Sequence, residues 1–144
     1  MRLIVLFLMT SMLVACGDSS TQSIADDTPV LGGVPIDQSA TLTRVQNEIF
    51  TPTCILLGCH DNLGRQSQMV LTPGRSFLAI VNVPSVEMPS LTRIQPADVS
   101  NSYLYRKVTG AGITGDRMPQ SLPPLTDAQI NLIRNWIRRG APND

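Results

Sequence analysis

Histidine occurs once in this 144-residue chain, cysteine three times and tryptophan once. A single imidazole excludes a histidine-rich metal cage, and two thiolates plus that imidazole leave the fourth ligand of a structural zinc site undefined. Charge is also scarce, at 15% of residues, and balanced at 11 basic against 11 acidic groups. That balance excludes the basic footprint of a nucleic-acid binder. No apolar run approaches the roughly 20 residues needed to span a bilayer as a helix. Strong period-two alternation and internal repeats are absent, which argues against a sheet-built or solenoid domain. No glycine-rich phosphate loop and no paired-carboxylate motif stands out, so the common nucleotide and hydrolase chemistries find no support.

What is present is concentrated in one place. His60 directly follows Cys59 in the run Cys54-Ile-Leu-Leu-Gly-Cys59-His60. Two thiols can form thioethers with the vinyl groups of a haem while the adjacent imidazole binds its iron, which is the chemistry of c-type haem attachment. The same two cysteines are also close enough in sequence to close a small disulfide ring, which would leave His60 an ordinary loop residue.

The N-terminus bears on the compartment. Arg2 gives a positive n-region, and Leu3 to Val14 form an apolar h-region of signal-peptide length. The segment closes on Leu13-Val14-Ala15-Cys16, which resembles the lipobox of bacterial lipoproteins. The resemblance implies removal of residues 1–15 as a signal peptide, acylation of Cys16 and anchoring to a membrane facing the periplasm. Gly17 in place of an acidic residue implies release to the outer membrane. With Cys16 lipidated, Cys54 and Cys59 remain as a pair in an oxidising compartment. Loss of Arg2 leaves ten basic against eleven acidic residues, a mature charge of about −1.

Residues 16–38 are rich in Ser, Thr, Asp, Gly and Pro and poor in large apolar side chains. Such a stretch cannot offset the entropy of ordering and reads as a flexible tether, with an r.m.s. span of roughly 25 Å. Residues 39–144 then form one domain with a modest core.

Within that domain the apolar spacing is helical. Leu42, Val45 and Ile49 follow the candidate N-cap Thr41 and predict a short helix ending near Pro52. Thr72-Pro73 reads as N-cap and N1 of a helix carrying Phe77, Ile80 and Val81, closed by Pro84. Another short helix is expected from Ser100 or Asn101 to Val108, stopped by Gly110. The last is the best defined: Thr126 and Gln129 have capping-box spacing, Leu125 and Ile130 that of a hydrophobic staple, and Ile130, Ile133, Trp136 and Ile137 form one stripe. Gly140 and Pro142 end it. The expected fold class is all-α, with long loops.

This layout resembles a class I monohaem cytochrome c over about residues 41–142: an early helix, a cysteine-cysteine-histidine site, loops and short helices, a late methionine and a C-terminal helix. The most specific match beyond the haem motif is Arg117-Met118-Pro119. The resemblance implies one covalent haem c held by Cys54 and Cys59, with His60 as proximal and Met118 as distal iron ligand. Met69 and Met88 compete for the distal position, and Met88 too precedes a proline. The departure is the cysteine spacing, since the family ordinarily has two residues where Ile55, Leu56, Leu57 and Gly58 stand. Five residues advance an ideal helix by about 500°, which points the two thiols apart. The loop therefore cannot be one regular helix, and Gly58 is the residue able to absorb the extra length as a bulge.

The expected function is that of a membrane-anchored electron carrier working with redox proteins of the bacterial envelope, without nucleic acid and without a small-molecule substrate. The alternative is a haem-free envelope lipoprotein in which a Cys54–Cys59 disulfide staples a binding or scaffold module. A haem sensor or peroxidase-like site is disfavoured, because its distal pocket would want a polar group and the only histidine is spent.

Overall fold

The computed structural model describes residues 30–31 and 34–144. The expected signal peptide at 1–15 and the expected lipidation site Cys16 lie outside the described residues. Of the stretch read as a tether, Val30–Leu31 (β1) pairs antiparallel with Val34–Pro35 (β2), and Ile36 is buried. No described helix is long and apolar enough to cross a membrane.

The domain is all-α. Its helices are α1 (Leu42–Val45), α2 (Ser76–Ile80), α3 (Tyr103–Thr109) and α4 (Asp127–Arg138). The Thr41 hydroxyl caps α1 by accepting from the Arg44 N–H at 3.1 Å. Asp144 satisfies two further donors at this end, through Leu42 N–H to Oδ1 and Thr43 N–H to its main-chain oxygen, both at 2.9 Å.

The first helix ends near Pro52, as expected, but takes the proline inside it. It continues as a π-helical stretch over Gln46–Cys54 with Pro52 inside. A proline in an ordinary α-helix lacks its N–H and clashes with the carbonyl four residues back. Widening the turn relieves that clash, as in the Ile55 N–H to Phe50 C=O bond at 3.1 Å. The Glu48 carbonyl, which Pro52 cannot use, accepts from the Gln129 amide at 3.3 Å.

Two other helices begin later than their sequence signals suggest. Gly74 adopts φ +76, a left-handed conformation that breaks any helix entered at Thr72-Pro73, so α2 starts at Ser76. Before α3, the Asp98 carboxylate accepts from the Ser100 hydroxyl and from the Asn101 N–H, holding these residues in a turn until Tyr103. Gly110, at φ +81, ends α3 where its sequence placed the stop. In α4 both halves of the Thr126/Gln129 capping box form.

The core gathers Val45, Ile49 and Phe50 against Ile133, Trp136 and Ile137 of α4, with Leu104 and Val108 of α3 and Leu71, Ile80 and Ile94 completing it. Trp136 is fully buried, and its indole N–H donates to the Pro142 carbonyl at 2.9 Å. Between α2 and α3 the chain passes through turns and bends, with isolated bridges joining Val81 to Ile94, Pro84 to Thr92 and Thr92 to Ser102. These bridges carry the long loops across one side of the core.

Candidate functional site

The π-helical stretch delivers Cys54 at its last position. The chain then leaves helical geometry, with Ile55 at φ −95, ψ 20, and turns through a Cys59 N–H to Leu56 C=O bond at 2.9 Å. Gly58 takes φ +83, a conformation closed to most side chains, and is the bulge that the long cysteine spacing requires. The loop closes when His60 N–H donates to the Cys54 carbonyl at 3.0 Å. Gly64 packs so tightly against this turn that a Cβ there would collide with the carbonyl groups of Gly58 and Cys59.

Both cysteines are free thiols, Cys54 half-buried and Cys59 exposed. Burial, reinforced by the neighbouring Cys59, pushes the Cys54 thiol up to about 12. Cys54 is therefore protonated at neutral pH.

His60 is buried, and its Nδ1 lies 3.1 Å from the Gln66 carbonyl oxygen. A carbonyl can only accept, so this contact favours the neutral tautomer with the proton on Nδ1 and the lone pair on Nε2, the one an Nε2 metal ligand requires. Burial lowers the ring's affinity for a second proton, and the carbonyls of Met69 and Gln66 only partly oppose it. The His60 carbonyl accepts from Leu71 N–H at 2.8 Å, tying the motif to the core.

Met118 comes from the other end of the domain. Its N–H donates to the Lys107 carbonyl at 2.9 Å, and the adjacent Arg117 Nε donates to the Val108 carbonyl at 2.8 Å, so two bonds hang this loop on α3. Cys54, Cys59, His60 and Met118 all line one cavity of about 440 Å³, together with Met69 but not Met88. The volume lies within the range of small-molecule and cofactor sites. Its apolar walls come from the core residues Ile49, Phe50, Leu71, Leu104 and Ile133, and Leu56, Leu57 and Leu122 line it while remaining exposed.

Polar residues that the sequence did not single out share the lining: Arg93, Lys107, Glu87 and Gln66. Lys107 is buried and pairs with Glu87 at 3.0 Å, while its Nζ also donates to the Thr114 carbonyl at 3.0 Å. Tyr103 donates its hydroxyl to the same Glu87 carboxylate at 3.0 Å. Burial raises the Glu87 carboxyl, but the bonds from Lys107 and Tyr103 outweigh it and hold the group below the usual glutamate range. Arg93 is buried, which lowers its pKa, and it donates to main-chain oxygens of Ala79, Ser67 and Gln68. The available signal for Lys107 was its place four residues after Tyr103 on the apolar face of α3. Arg93 and Glu87 sit in irregular chain, where no periodicity marks a residue as inward.

Among the described residues, no group of three or more His, Cys, Asp or Glu side chains is placed to hold a metal ion. The donors converging on the cavity are one imidazole, two thiols and thioethers, a soft and largely neutral set. Compared with family models, curated proteins and solved structures, the chain matches no family model, no curated protein and no solved structure.

Proposed function

We propose that this protein is a membrane-anchored electron carrier of the periplasm holding one covalent c-type haem. Cys54 and Cys59 serve as thioether anchors, His60 as proximal ligand and Met118 as distal ligand. The observation that carries this reading is that these four residues, remote in sequence apart from the motif itself, line a single apolar cavity. The chemistry of the donors agrees with it: two free thiols, an imidazole whose favoured tautomer leaves Nε2 unprotonated, and a thioether.

When bound, the haem supplies a one-electron iron couple. The protein's own residues do the rest. Cys54 and Cys59 fix the group's position covalently, and His60 presents a directed lone pair held by Gln66. Met118 contributes a weak, soft donor that favours the reduced metal and so raises the potential. Ile49, Phe50, Leu71, Leu104 and Ile133 exclude water from the inner wall. Leu56, Leu57 and Leu122 leave an exposed apolar rim where a redox partner of the envelope docks weakly. Cys16, once acylated, confines the carrier near the membrane.

The test is expression with haem-maturation factors in an exporting host. The expected product is coloured, shows sharp α and β bands after ascorbate reduction, and retains its pigment through acid-acetone extraction. Intact mass should rise by one haem on the motif peptide and by a diacylglycerol on Cys16. Colourless protein whose mass is only two hydrogens short would overturn the reading in favour of a disulfide-stapled module.

A further inference from the structure

The turn over residues 65–68 is held in a shape its residues disfavour. Arg65, Ser67 and Gln68 adopt φ of +43, +52 and +56, and none of them is glycine. Left-handed backbone costs roughly 1–2 kcal/mol at each such position, so the turn persists only where surrounding bonds impose it. Some of those bonds are local: Gln66 N–H donates to the Cys59 carbonyl at 3.0 Å, and Gln68 N–H to the Arg65 carbonyl at 2.8 Å. Met69 N–H donates to the Gln66 carbonyl itself at 3.1 Å, and Gln66 Nε2 to the Gly58 carbonyl at 3.2 Å. A further restraint comes from a residue distant in sequence. One terminal nitrogen of Arg93 donates to Ser67 C=O at 2.8 Å and Gln68 C=O at 3.4 Å, while the other donates to Ala79 C=O of α2 at 2.6 Å. Arg93 is 8% exposed as a residue, and its guanidinium ties the strained turn to a helix.

The turn matters because of Gln66. Its carbonyl, which receives His60 Nδ1, lies between the left-handed residues, so its direction depends on their torsions. We propose that Arg93 is a positioning residue for His60: by clamping Ser67 and Gln68 to α2, it aims the Gln66 carbonyl at Nδ1 and fixes the tautomer that offers Nε2 to the iron. This rests on the reading of His60 as an iron ligand, while the clamp itself can be measured without haem. A planar guanidinium with forked donors can bridge two chain segments at once, whereas a lysine ammonium is a compact point charge on a flexible stem.

The experiment uses the full chain expressed with and without haem-maturation factors. In haem-free protein, long-range ¹H–¹⁵N NMR of the single imidazole should show one neutral tautomer, protonated at Nδ1. Arg93→Met should give a mixture of tautomers, and adding Ser67→Gly, which removes the strain at that position, should move the spectrum back toward the parent. Thr126→Ala, which weakens α4 far from the turn, should leave the tautomer unchanged. Arg93→Lys is the variant for the reduction potential, since removing a cation would by itself lower it. Keeping the charge while losing the bridge should raise the potential, because an imidazole without its Nδ1–H bond is the poorer donor. Should Arg93→Met not fold, Arg93→Lys carries the tautomer test as well. A single Nδ1–H tautomer in every folded Arg93 variant, with an unchanged potential, would overturn the clamp. Colourless protein in which the Arg93 variants still scramble the tautomer would overturn the haem reading alone.

Discussion

The Lys107 carbonyl accepts the Met118 N–H at 2.9 Å, and through its side chain Lys107 also grips Glu87 at 3.0 Å. One residue of α3 thus positions the candidate distal ligand with its backbone and carries the cavity's ion pair with its ammonium. The placement of Met118 is set by a helix rather than by the flexibility of its own loop.

Met118→Ala should therefore leave haem covalently attached while abolishing the near-infrared methionine-to-iron band. The reduction potential should fall as the soft donor is lost. Met88→Ala should change neither, because Met88 does not line the cavity, whereas Met69→Ala should keep the band and shift the potential modestly through altered packing. Optical spectroscopy and redox titration of the three variants provide the check. Loss of the band in Met69→Ala instead would move the ligand assignment there.

Acid stability should reflect two groups in succession, the buried His60 and the more exposed, ion-paired Glu87. The folded-state pKa of His60 is lowered by burial, so the unfolded chain binds a proton first and haem-free protein loses stability as pH falls below about 6.5. Glu87 is also held low in the folded state, so its contribution is present above the ordinary glutamate range and is lost as pH drops through its folded value. Glu87→Gln should flatten that second, more acidic loss. It should also cost on the order of 2 kcal/mol at pH 7, since it weakens a charge-assisted bond to the buried Lys107. Urea midpoints of parent and variant between pH 2 and 8 measure both effects. An acid limb unchanged by Glu87→Gln would contradict the assignment.

The two candidate anchor thiols should react very differently in haem-free protein. Cys59 is exposed, while Cys54 is half-buried and its thiol is pushed up to about 12. Thiolate is the nucleophile, so iodoacetamide at pH 8 should label Cys59 well before Cys54, by at least tenfold in rate. Peptide mass spectrometry over a time course reads the ratio. Denaturation in urea should bring the two rates together, because burial is the cause of the difference.

The elements legible in the sequence were those with local causes. The Thr126/Gln129 box, the α4 stripe, the Thr41 cap and the Gly110 stop each follow from residues a few positions apart, and each is present. The non-helical course between the cysteines, with Gly58 left-handed, follows the expectation drawn from the haem-motif resemblance, in which both thiols must face one edge. The departures have non-local or competing causes. Pro52 is accommodated by a wider turn, with a partner for the Glu48 carbonyl supplied from Gln129 on α4, and Gly74 overrides the proline signal beside it. The cavity's polar wall was illegible because Glu87, Arg93 and Lys107 meet only through tertiary packing, and two of the three stand outside any regular element.

Glycine substitutions separate the motif's geometry from general backbone strain. Gly64→Ala places a methyl against the carbonyl groups of Gly58 and Cys59, backbone atoms that cannot swing aside. Overpacking of this kind costs roughly 1–3 kcal/mol, and here relief requires the Gly58–Cys59 turn to move. Covalent haem yield should accordingly fall by much more than the loss of stability explains. Gly74→Ala is the matched control: its φ of +76 strains an alanine, but the added Cβ meets nothing within 4 Å. That variant should lose about 1 kcal/mol and attach haem as the parent does. Comparing haem yield with urea midpoint for the pair decides the matter, and equal yields at equal stability would mean that the turn does not set the anchor geometry.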